Sequence, residues 1–163
     1  MNAQQRAFYR QATADWKMYR MLRGHTPRVP CHELHFLQMA TEKFAKAYLW
    51  GTTTPPRPVH ASFVQFLRLA AQKSKIREAL GVPSRPHFRD WLHKVLPLAA
   101  QIENLAPQLA GNGPNPEYPW PSEMPEIAPV DFEFLVIAEL EASHGRKLIG
   151  LVSLLMEMFP SWA

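Results

Sequence analysis

Arg89 and His93 stand four residues apart in the run Arg85-Pro86-His87-Phe88-Arg89-Asp90-Trp91-Leu92-His93-Lys94. That spacing places both on one face of a helix. Arginine at such a site would hold a phosphate and stabilise developing charge, while histidine would move a proton near neutral pH. The plainer alternative is a solvated helix face on which Asp90 pairs with Lys94, and it is preferred, because charged residues on helix surfaces are the rule.

Other constellations are weaker. His32, Glu33 and His35 resemble metal ligands, but the zinc-protease pattern needs histidines four apart, so capping or packing is the better reading. His87, Asp90 and His93 step by three residues and drift around a helix. No metal or cofactor is expected, and no glycine-rich phosphate loop or dinucleotide fingerprint is present. Asp15, Glu42, Lys43 and Lys46 could form a polar network between the first two helices, more in keeping with orienting them than with catalysis. Tyr118 and Trp120 sit in a proline-rich stretch and offer the aromatic surface a base would stack on. Docking of that stretch onto the fold is the preferred reading. Cys31 has no intrachain partner, which suits a reducing cytoplasm and a buried thiol.

The elements that must position these residues are helical. Leu34, Leu37, Thr41, Phe44 and Tyr48 recur at three- and four-residue intervals, predicting an amphipathic helix at about 31–50 closed by Gly51. Phe8, Ala12, Trp16 and Tyr19 predict an earlier helix over 3–23, ended by Gly24 and Pro27. A third helix is expected at 60–79, and a fourth at 85–106 with Ser84 as N-cap, which Pro97 should kink or split. Asp131 can cap a helix from Phe132 to Ser143, with Gly145 interrupting it before a last helix from Arg146 to Phe159. Residues 111–129 carry six prolines and can be neither helix nor central strand. The fold expected is therefore all-α, an up-and-down bundle of four to six helices with this long loop inside one domain spanning 1–163.

Hydrophobic residues make up 47% of the chain and charged residues 20%, ordinary for a soluble globular protein. No apolar run approaches bilayer length, so no membrane association is expected. The net charge of +4 conceals an asymmetry: residues 1–110 hold 16 Lys or Arg against 6 Asp or Glu, and residues 111–163 hold 2 against 8. Either a basic face meets phosphate-rich partners, or the acidic part packs beside the basic part within a chain or across a dimer. The second reading is favoured.

The second-helix sequence Leu37-Gln38-Met39-Ala40-Thr41-Glu42-Lys43-Phe44-Ala45-Lys46-Ala47, with Ala14-Asp15 before it and His60 after it, resembles the HEPN superfamily. These are small helical domains of prokaryotic toxin–antitoxin and nucleotidyltransferase-associated systems. The resemblance spans residues 5–70 and extends into the fourth helix. It implies a helical bundle, a homodimer, a nucleotidyltransferase or antitoxin protein as partner, and RNA or a nucleotide as ligand. Many members look like metal-independent ribonucleases with an arginine followed by a histidine late in the domain; others are binding modules. Here residues 100–125 contain neither arginine nor histidine, and the pairs Arg20/His25 and Arg28/His35 lie too early in the chain. The leading expectation is thus a catalytically degenerate HEPN-like binding or interaction module. The alternatives are a ribonuclease toxin using Arg89 and His93, and a nucleotide- or small-ligand-binding accessory subunit using Tyr118 and Trp120.

Overall fold

In the computed structural model, residues 1–52, 62–82, 84–121 and 126–162 are described. Helix α1 runs Ala3–Arg23 and α2 runs Pro30–Leu49. Both begin where the local chemistry demands. Asn2 accepts from the Gln5 amide while the Gln5 side chain accepts from the Asn2 amide, a reciprocal cap. Pro30 supplies the pre-set backbone of a first helical turn. The two helices form an antiparallel pair: Asn2 reaches the Trp50 carbonyl at one end (3.1 Å), and Asp15 meets Lys43 midway (2.7 Å).

Around α2 the core assembles from every side. Phe44 is fully buried and meets Tyr9 of α1, Phe66 of α3 (Phe63–Ala70) and Phe159 of α8 (Ser143–Trp162), with ring centroids 5.1–6.5 Å apart. Burying aromatic rings in tilted and edge-on contact contributes both area and specific geometry. Helix α5 (Arg85–Asn104) adds Leu92, Val95, Ala99 and Ile102 to the same core. Short helices α4 (Ser74–Ala79), α6 (Pro107–Ala110) and α7 (Val136–Glu141) complete an all-helical bundle. Among the described residues there is no strand, only an isolated bridge between Trp120 and Ile127, and no helix is long and apolar enough to cross a membrane.

Four features differ from the sequence expectation. The helix expected at 60–79 is two helices, broken at Ala71–Lys73, where Arg77 donates to the carbonyls of Ala71 and Gln72. Pro97 does not split α5, which runs on through it; the position is exposed, so water can reach the carbonyl that the missing N–H leaves without a donor. Towards the C-terminus a 3-10 turn occupies Pro129–Asp131, and Asp131 caps no helix. The break expected at Gly145 lies at Ala142, and Gly145 is inside α8, in its first turn. A Cβ at Gly145 would lie 2.3 Å from the Glu139 carbonyl oxygen and 2.4 Å from Leu140 Cα. The glycine permits the tight corner between α7 and α8 rather than ending a helix.

Candidate functional site

Burial of one face on each of two helices leaves a groove between them. In α3, Phe63, Phe66, Leu67 and Ala70 are buried, which turns Val64, Arg68 and Ala71, spaced four and three apart, outward. In α5, burial of Phe88, Leu92, Val95, Ala99 and Ile102 leaves Arg85, Arg89, His93, Pro97 and Ala100 as the neighbouring stripe. These two stripes are the walls of an open groove of about 880 Å³ whose floor includes Phe88, Leu92 and Leu96. Phe88 is braced by Trp91, ring centroids 5.4 Å apart.

The groove is cationic. Arg68 comes from α3, and Arg85, Arg89 and His93 from α5, and among the described residues no carboxylate lines it. Asp90 is 4.0 Å from Arg89, with both side chains more than 60% exposed, a separation and exposure at which an ion pair contributes little. Arg89 therefore keeps its donors for a ligand. The stretch that carries both walls has the same sign: residues 62–100 hold seven Lys or Arg against Glu78 and Asp90 alone. Guanidinium forks set over an apolar floor suit phosphate or carboxylate groups attached to an apolar or planar body.

Of the residues picked out by sequence, Arg89 and His93 are brought together with two further arginines. Arg68 and Arg85 were missed. Arg85 extends the four-residue stripe 85–89–93 and could have been read from it; Arg68 belongs to another helix, and no periodicity within α5 points to it. Asp15 and Lys43 form a nearly buried pair at 2.7 Å, with Gln11 donating to Asp15 at 3.0 Å. Lys46 pairs with Glu42, which also accepts from Gln38 at 2.9 Å. These four charges are locked into helix packing on α1 and α2 and do not line the groove. His60 lies outside the described residues.

Tyr118 and Trp120 are separated. Trp120 is 4% exposed, wedged against Phe132 and Phe134, whereas Tyr118 is 61% exposed. Trp120 is thus docked, and of the two only Tyr118 has a ring face open to a ligand. The proline-rich stretch is held by Asn115, whose side chain accepts from the amides of Glu117 and Tyr118, and by Glu117, 3.3 Å from His35 Nδ1. Among the described residues no three His, Cys, Asp or Glu side chains converge as metal ligands. Glu33 is instead taken by Arg28, which donates to both its oxygens at 2.8 Å and also pairs with Glu141. That contact with Arg28 pulls the Glu141 carboxyl below its ordinary range.

Beyond the groove, one turn past the lining residue Ala100, a carboxylate joins the two helices. Glu103 of α5 accepts from the backbone amides of Phe63 (2.7 Å) and Val64 (3.3 Å). Burial pushes its carboxyl up, against the opposing pull of those two amides. Neither a protein-family model, nor a curated protein, nor a solved structure matches this chain.

Proposed function

We propose that this chain is a HEPN-like binding module whose α3–α5 groove holds a phosphate-bearing strand, RNA in the reading the sequence resemblance implies, without cleaving it. One observation carries the proposal: Arg68, Arg85, Arg89 and His93 open into a single groove with an apolar floor and, among the described residues, no carboxylate in its lining. Several separated cations favour a ligand with several phosphates, and burial of sugar or base against Phe88 and Leu92 adds an apolar contribution. In the same reading the module pairs with a second copy and serves a nucleotidyltransferase or antitoxin protein, as the HEPN resemblance implies.

The chemistry of RNA cleavage weighs against a nuclease. Attack by the 2′-hydroxyl needs a base for its proton and an acid for the departing 5′-oxygen. Among the described lining residues His93 is the only histidine and no carboxylate stands beside it, while arginine stays protonated and cannot serve as a base. The ribonuclease alternative stays testable because Arg89 and His93 do share the groove.

Fluorescence anisotropy with a short fluorescein-labelled oligouridylate, followed by gel analysis of the same samples, tests both readings. The expected result is saturable binding, weakened by Arg89→Ala, with the strand intact. No binding at low salt would overturn the proposal. Cleavage abolished by Arg89→Ala and by His93→Ala would replace it with the ribonuclease reading.

A further inference from the structure

We infer that Glu103 is a positioning residue of the α3–α5 groove: carried by one wall, its carboxylate fixes the first turn of the other and so sets where Arg68 stands relative to Arg89 and His93. The inference rests on the groove being the ligand site.

Helix α3 has only eight residues and lacks a side-chain cap of its own, since Ser62 makes no capping bond. A helix this short is marginal without outside support, and its first amides need acceptors. Glu103 supplies one from across the groove. A single oxygen, Oε1, takes both the Phe63 and Val64 amides. Val64 lines the groove, as does Ala100 one turn before Glu103 on α5. The bond thus bridges the two walls at one end, and Arg68 follows Val64 by four residues, one turn along α3. Arg68 is also close enough to act electrostatically on Glu103.

Glu103 occupies a costly place. It is half-buried, and burial, with a smaller push from Glu42, raises its carboxyl despite the two amide bonds and Arg68. A small apolar residue would avoid that cost while leaving the α3 amides without their acceptor. Glutamine offers the same oxygen with no charge, so it separates the bond from the carboxylate's ionisation. Without the acceptor the first turn of α3 frays, Arg68 samples more positions, and a ligand must order it on binding.

The test uses the full chain, the labelled oligouridylate, and the variants Glu103→Ala, Glu103→Gln and Arg89→Ala. Amide hydrogen exchange at Phe63 and Val64 is read alongside. The expected result is that Glu103→Ala binds about fivefold more weakly, equivalent to ~1 kcal/mol. Glu103→Gln binds within about twofold of the parent, and only Glu103→Ala speeds exchange at the two amides, leaving α1 and α2 protected. If Glu103→Ala does not fold, Glu103→Asp replaces it, being too short to reach both amides, with the same expectation. If Arg89→Ala weakens binding but Glu103→Ala does not, or if Glu103→Gln loses as much as Glu103→Ala, the positioning role is overturned and the groove remains the binding site. If the parent does not bind the strand at all, the binding reading fails and this one falls with it.

Discussion

Deleting the Arg28 side chain is the sharpest probe of how the bundle is fastened. The Glu33 side chain is 1% exposed and accepts two donors from Arg28, each at 2.8 Å. Removing one partner of a buried pair strands the other charge and costs roughly 3–5 kcal/mol. Arg28 is itself 36% exposed, so water can enter the space it leaves, and the loss falls to ~2–3 kcal/mol. For a chain of this size that lowers Tm by about 5–10 °C. Circular dichroism melts of Arg28→Ala, with urea titrations as a second measure, read the change. Adding Glu33→Gln to Arg28→Ala should recover part of it, because a stranded amide is less costly to bury than a stranded carboxylate. Glu141→Ala should melt close to the parent, since that side chain is solvated. An Arg28→Ala melt indistinguishable from the parent, or a Glu141→Ala melt equally lowered, would refute the reasoning that burial of Glu33 sets the cost.

The two glycines of α8 should respond in opposite directions. Gly150→Ala meets open space and should gain about 0.5–1 kcal/mol from helix propensity, whereas Gly145→Ala must push apart the α7–α8 corner and should lower Tm; a chemical melt of each decides. Trp120→Ala should cost about 3–5 kcal/mol and Tyr118→Ala little, since one ring is packed among Phe132 and Phe134 and the other faces water. Because burial raises the carboxyl of Glu103 in the folded state, that residue contributes stability below the ordinary carboxylate pKa, lost as pH rises through the raised value. The stability of the parent relative to Glu103→Gln should therefore fall as pH rises across that window, and a difference independent of pH would contradict this assignment.

The sequence was most legible where one helix face and its caps speak together. The boundaries of α1 and α2 lie within a residue of those read from Phe8–Trp16–Tyr19 and Leu34–Leu37–Phe44, because Gly24 and Pro30 punctuate apolar stripes that are truly buried. The gap between α3 and α4 was not legible. It contains neither glycine nor proline, and an arginine six residues on ties down its carbonyls. Gly145 was noticed but misread: a glycine can admit a neighbouring backbone as readily as it ends a helix, and a single sequence does not distinguish these. In the groove, Arg89 and His93 were visible as a spacing, while Arg68 and Glu103 depend on which helices face each other. Such cross-helix pairs leave no periodic trace. Tyr118 and Trp120 are two residues apart and looked alike in sequence, yet only Trp120 finds a pocket, against Phe132 and Phe134 from farther along the chain.

The salt dependence of strand binding tests the central claim most directly. If Arg68, Arg85 and Arg89 each neutralise one phosphate, log affinity should fall against log salt with a slope of about −2, roughly a 20-fold loss between 50 and 200 mM. Arg89→Ala should reduce the slope to about −1.4 and weaken binding at low salt. An affinity that is flat in salt, or a slope that Arg89→Ala leaves unchanged, would contradict a phosphate-holding groove between α3 and α5.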